Sequence, residues 1–246
     1  MSDPVFLVDA LPGVGAFTLD GPEGHHAADV QRLRPGETLA LSDGEGGLAR
    51  ARVVAAGGGS LRLDVVELAV EPEPDPRLTV VQALPKGDRG ELAVQMLTEV
   101  GVDEVVPWAA SRSITRWKGP RGEKARTRWV ATAREAAKQA RRSRLPRVAE
   151  LHTTKQLVQR LGEAAQVLVL HEEAERPLSG AALAETGEIA LVVGPEGGVS
   201  PEELALLSGP GGRPGAEAVR LGPTVLRTST AGPAALAVLQ SRLGRW

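Results

Sequence analysis

Two short segments carry residues whose types and spacing can do chemistry. The first is Gly194-Pro195-Glu196-Gly197-Gly198, between an apolar run at 189–193 and Ser200-Pro201-Glu202-Glu203. Ser as N-cap, Pro at the first helical position and acids in the first turn predict a helix from Pro201. Glycines between a strand and a helix let backbone approach a ligand closely. The spacing matches neither a dinucleotide-binding loop nor a P-loop. Glu196 and the two acids of the helix start would repel a pyrophosphate. A cofactor with a positive centre and no phosphate, such as a sulfonium, fits better; a plain strand-to-helix turn is the other reading. The second segment, residues 219–240, reads as a short strand, a Gly-Pro turn, the polar cluster Arg227-Thr228-Ser229-Thr230 and a helix. Free N–H groups at such a helix start can hold a ligand carboxylate. An N-cap cluster with a basic neighbour would look the same.

Charge points to a partner. Net charge is −2, yet residues 112–147 hold 13 Lys/Arg against two acids, Glu123 and Glu135. Clustered cations bind phosphates, so a nucleic acid is the expected partner. An Arg-rich solvated helix face in a compositionally biased chain is the alternative. Cysteine is absent, which excludes disulfides, thiolate metal sites and Cys nucleophiles. Four scattered histidines make a metal centre unexpected. The N-terminus lacks the pattern of a signal peptide and no window is long enough to span a membrane, so the expectation is a cytoplasmic protein.

The elements that must position these residues fall into two patterns. Runs at 5–8, 16–19, 38–42, 48–55 and 61–68 are strand-like and separated by Gly/Pro turns, with a helix near 25–33, which suggests a small barrel. Three prolines alternate with acids in EPEPDP, 71–76, a stiff linker that sets the boundary between domains 1–72 and 73–246. Beyond it, buried strands at 78–83, 104–108, 166–170 and 189–193 alternate with helices at 90–100, 121–142, 201–207 and 231–243. That alternation predicts an α/β domain with a mostly parallel sheet.

Together, the GPEGG and LRTST segments resemble those of the bacterial 16S ribosomal RNA uracil-N3 methyltransferases, of the SPOUT superfamily. The likeness extends through His25-His26 with Arg32-Leu33-Arg34, Lys86-Gly87-Asp88-Arg89, and Arg134-Glu135-Ala136-Ala137-Lys138-Gln139. Ser229 stands where the family's commonest form has Glu, Met96 where it has Lys, and Ser111 where it has an acid. The resemblance implies a trefoil-knotted α/β domain, a PUA-like RNA-binding barrel before it, and a homodimer, for which the helix at 231–243 could supply the contact or serve as core. It implies methyl transfer from S-adenosylmethionine to N3 of a uridine in 16S rRNA of the small subunit, without a metal or a membrane. It also implies cofactor contacts from Leu170, His171, Glu172, Gly194, Pro195, Glu196, Gly197, Gly198, Leu221, Gly222, Leu226 and Thr228. Arg227 is the candidate for stabilising charge on the base, with a phosphate contact or a dimer salt bridge as its other reading, and Glu196 either accepts a proton or caps its loop. The expected RNA contacts are His25, Arg32, Arg34, Lys86, Arg89, Arg112, Arg116, Arg134, Lys138, Arg141, Arg142 and Arg144. Trp117 and Trp129 are stacking candidates, although the helix position of Trp129, in line with Ala125 and Ala133, favours core. Another RNA target or atom, or a non-catalytic ribosome assembly factor, would account for many of the same features.

Overall fold

A computed structural model describes residues 3–209 and 215–246; the start of the first expected domain, 1–2, and the stretch 210–214 of the second lie outside the described residues. The chain divides into two compact units, Met1–Glu73 with Ala137–Leu145, and Pro74–Ala136 with Pro146–Trp246.

In the first unit, β1 (Val5–Leu7), β2 (Gly15–Leu19), β3 (Thr38–Ser42), β4 (Gly47–Gly57) and β5 (Ser60–Val70) form one sheet in the order β1-β3-β4-β5-β2. Alternation does the work. In β4, Ala49, Ala51 and Val53 face inward while Arg50, Arg52 and Val54 are exposed. Phe6, Leu39, Leu41, Leu61 and Leu63 complete the core. β1 and β2 are the sheet edges, with no ladder between them among the described residues. The helix expected at 25–33 begins earlier, as α1 (Gly21–His25), because Pro22 occupies its first turn. It continues into a π-helical turn, His26–Val30, and stops before Arg32, whose φ is +56°.

The second unit carries a seven-stranded sheet of β6 (Arg77–Ala83), β7 (Glu104–Ala109), β8 (Arg147–Val148), β9 (His152–Thr153), β10 (Gln166–Leu170), β11 (Glu188–Val193) and β12 (Glu217–Val219). The order is β12-β10-β11-β6-β7-β8, β9 also pairs with β7, and every pairing is parallel. One face packs Leu78, Val80, Leu168, Leu191 and Leu236; the other packs Val81, Val106, Val169, Val192 and Leu207. Strands buried on both faces explain the unbroken apolar runs.

The helices are α2 (Arg89–Val100), α3 (Gly119–Gln139), α4 (Thr154–Leu161), α5 (Pro201–Ser208) and α6 (Thr228–Arg242). The expected extension of α3 to 142 fails, because Arg141 takes φ +57°, a left-handed conformation that ends a helix. α6 packs on α2, β11 and β6 through Gly232, Ala235, Leu236 and Leu239, so this face of the helix is core.

Candidate functional site

Parallel strands end on one edge, and ligands of α/β sheets gather where the strands end. The loops that follow β10, β11 and β12 leave three adjacent strands on that edge. They surround one cavity of about 920 Å³. Its walls include Leu170, His171, Glu172, Gly194 to Gly198, Leu221, Gly222, Leu226, Arg227 and Thr228. All twelve residues expected to touch a cofactor therefore meet in one place, with Arg227 among them.

The walls are held by specific bonds. After β11 the chain turns through a Gly198 N–H that donates to the Pro195 carbonyl at 2.8 Å, with Gly198 at φ +73°. A Cβ on Gly194 would come within 2.9 Å of Val199 Cγ2, so only glycine lets the loop close on itself. The buried Thr228 hydroxyl donates to the Gly194 carbonyl at 2.8 Å and accepts from Gln82 Nε2 at 2.9 Å. This ties the first turn of α6 to the GPEGG loop and to the end of β6. Glu196 accepts the Lys86 N–H at 3.1 Å and lies 3.9 Å from Arg89. Of its two expected roles, these contacts are those of a loop clamp. His171 donates its N–H to Val219 and its Nδ1 faces the Glu173 N–H at 3.2 Å, which joins the β10 and β12 loops.

Electrostatics divide along α5. Ser200 caps the helix in a capping box with Glu203. Burial pushes the Glu203 carboxyl up, but donors from Ser111, Thr154 and Ser200 outweigh it and hold the group below its usual range. The exposed Glu202 is also lowered, first by backbone and Ser200 hydrogen bonds, then by the charge of Arg112. Arg227 differs from its neighbours. It is exposed, N-caps α6 without a side-chain capping bond, and its guanidinium has no partner among the described residues.

The residues expected to meet RNA are divided. Arg32, Arg34, Lys86, Arg134 and Arg141 are exposed. His25 is exposed but pairs with Asp29 at 2.7 Å. Arg142 is partly buried. Three others make bonds within the protein. Lys138 has a side chain only 8% exposed and pairs with Glu23 at 2.7 Å, so its charge is consumed inside the first unit. Arg144 donates to the Glu71 carbonyl at 2.7 Å and lies against Gly46. Arg116 holds the carbonyls of Ala110 and Ser111, each at 3.1 Å. Arg89 and Arg112 belong to the cavity wall, and Arg112 donates to the Gly197 carbonyl at 3.0 Å. Trp129 is core, as its helix position favoured: it is 2% exposed and meets Trp117 edge-to-face at 4.9 Å.

Sequence reasoning missed several contributors. Arg112 read as a phosphate ligand, and nothing local shows that it reaches Gly197, 85 positions away. Gln82 lies inside an apolar strand, and its polarity within that run was a usable signal. No group of three or more metal-ligating side chains is present among the described residues, nor any helix long and apolar enough to cross a membrane.

Comparison with known proteins follows the same lines. An RNA methyltransferase domain model matches residues 71–240, and an RNA methyltransferase PUA domain model matches 19–66. The chain is 50% identical over 247 aligned residues to ribosomal RNA small subunit methyltransferase E of Mycobacterium bovis, covering 98% of this chain and 93% of that one. It is 30% identical to the Bacillus subtilis protein of that name, over 87% and 86% of the two chains. The crystal structure of the Neisseria gonorrhoeae protein of that name, bound to S-adenosyl methionine, superposes with a TM-score of 0.81 at 27% identity, covering 98% of each chain.

Proposed function

This chain belongs to the RNA methyltransferase family, and we propose that it transfers a methyl group from S-adenosylmethionine to N3 of a uridine in 16S rRNA of the small ribosomal subunit. The observation that carries the reading is the single cavity at the ends of β10, β11 and β12, where glycine backbone, the start of α6 and one unpartnered arginine meet.

The cavity suits the cofactor in size and lining, since about 920 Å³ lies in the range of small-molecule sites. Gly194, Gly197 and Gly198 would offer backbone without side-chain obstruction. The backbone of Leu221, Gly222 and Leu226 would complete the cradle with His171. The N–H groups of Thr228 and Ser229 at the start of α6 would receive the carboxylate, since the Thr230 N–H already donates to the Arg227 carbonyl at 2.8 Å. When bound, S-adenosylmethionine supplies an electrophilic methyl group on a sulfonium. The chain must align N3 with that methyl and stabilise negative charge that builds on the uracil oxygens as the N3 proton leaves. Arg227 is the side chain for that charge, since its guanidinium is exposed on the cavity wall and no carboxylate among the described residues pairs with it. A paired base cannot reach such a wall, so the nucleotide is turned out of its stack.

The PUA-like unit belongs to this reading as an RNA-binding domain, with 1–72 and 73–246 as functional domains. The exposed Arg32, Arg34, Lys86, Arg134 and Arg141 contact phosphates. A trefoil knot in the second domain, a homodimer and a cytoplasmic location complete it, supported by the family membership. The test uses unmethylated small subunits from a strain lacking its own enzyme. Incubation with this protein and S-adenosylmethionine should yield 3-methyluridine on nucleoside mass spectrometry, and another methylated nucleoside would reject the assignment of the acceptor.

A further inference from the structure

Outside the cavity, one buried carboxylate gathers donors from three separate segments. Glu203 belongs to a residue 4% exposed. Its Oε1 accepts the Ser111 N–H at 2.8 Å and the Thr154 hydroxyl at 2.9 Å. Its Oε2 accepts the Ser111 hydroxyl at 2.8 Å and the Ser200 N–H at 3.3 Å. A helix cap needs only the last of these. The other three reach the loop after β7 and the start of α4, and Trp108 Nε1 braces Thr154 from behind at 3.2 Å.

The residue next to Ser111 is Arg112, which lines the cavity and donates to Gly197. The fit there is close, since a Cβ on Gly197 would lie 3.2 Å from Arg112 Cβ. Ser111 is therefore held at one end of a short lever and the GPEGG loop at the other. Glu203 also fixes Ser200, which ends that loop. One carboxylate thus sets both partners of the Arg112–Gly197 contact.

We infer that Glu203 is a positioning residue for the cofactor site, which holds Arg112 against the GPEGG loop through Ser111 and Ser200. The inference rests on the proposed function for the identity of the ligand, but not for the positioning itself. Glu203→Gln is the informative variant, because Gln at this position still completes a capping box while placing an NH2 group among donors. Ser111→Ala is the milder control, which removes one donor and leaves the amide.

Two readouts apply to the full chain. Amide hydrogen exchange should speed up about tenfold in 110–116 and 194–200 of Glu203→Gln, with α5 still protected. Calorimetric titration with S-adenosylmethionine should show about tenfold weaker binding, with Arg112→Ala similarly weakened and the double variant little worse than either single variant. Exchange that rises only in α5, or wild-type affinity in Glu203→Gln, would reduce the residue to a helix cap and overturn the inference. Additive losses in the double variant would overturn it too. If the wild-type chain bound no S-adenosylmethionine, the cofactor assignment would fall, and the exchange pattern would still decide the role of Glu203.

Discussion

Arg227 and Thr228 are adjacent and do different work. Arg227 is exposed and has no side-chain partner among the described residues, so its replacement should leave the fold and cofactor binding intact. Arg227→Ala is expected to lower kcat by about 10²–10³, the usual effect of losing one charge-stabilising donor, with S-adenosylmethionine affinity changed less than threefold by calorimetry. Thr228 is buried between Gln82 and Gly194. Thr228→Val strands the Gly194 carbonyl and should cost about 1–3 kcal/mol in urea unfolding, with cofactor affinity falling as well. Glu203 adds a pH dependence. Its folded carboxyl titrates below the unfolded value of 4.5. The stability it contributes is present above that value and lost as pH falls through the folded one. Thermal midpoints measured from pH 6 down to pH 3 should therefore drop more steeply for the wild type than for Glu203→Gln. The glycines and Arg227 were legible in the sequence because their spacing is local. The bonds of Glu203 to Ser111 and Thr154, of Lys138 to Glu23 and of Arg144 to Glu71 were not, since each partner lies tens of positions away and only folding brings it close.

Among the elements, the GPEGG turn has the least freedom. Gly194→Ala would drive a Cβ to 2.9 Å from a Val199 methyl and 3.2 Å from its backbone nitrogen, and backbone cannot step aside as a flexible side chain would. This variant should fold with a lowered thermal midpoint and lose cofactor binding, both measurable on one purified sample. α3 makes the contrasting case. Its Trp129 packs against Gly90 and Trp117, so Trp129→Ala should cost about 3–5 kcal/mol as a large-to-small core change. The long strands were readable because burial on both faces leaves continuous apolar runs. β8 and β9 were not, since two residues carry no periodicity. α4 escaped notice although Thr153 and Gln156 form a capping box at its start, a signal visible in the letters TTKQ. The end of α3 was misjudged because the left-handed Arg141 has no glycine to announce it.

For the whole molecule, charge is the readable property with the least certain address. The basic stretch at 112–147 stands out in a chain of net charge −2, yet it mixes exposed cations with ones that bond to groups of the protein. Arg116, Lys138 and Arg144 hold protein groups, whereas Arg134 and Arg141 are exposed. Composition could not separate these: Glu23 and Glu71, which hold Lys138 and Arg144, lie 115 and 73 positions away, and the carbonyls that Arg116 holds carry no side-chain signal. Replacing Arg134 or Arg141 with Ala should weaken binding to small subunits and reduce its salt dependence, read as the slope of affinity against salt concentration. Lys138→Ala should instead destabilise the first unit, because it removes the cation that pairs with Glu23. The central claim joins a cofactor cavity to a uridine of ribosomal RNA, and one measurement tests both ends. Small subunits lacking the modification are incubated with the protein and methyl-labelled S-adenosylmethionine, and the digested 16S rRNA is resolved by mass spectrometry. Labelled 3-methyluridine, lost in Arg227→Ala, is the predicted result; an unlabelled 16S rRNA after incubation with the wild-type protein would contradict the account.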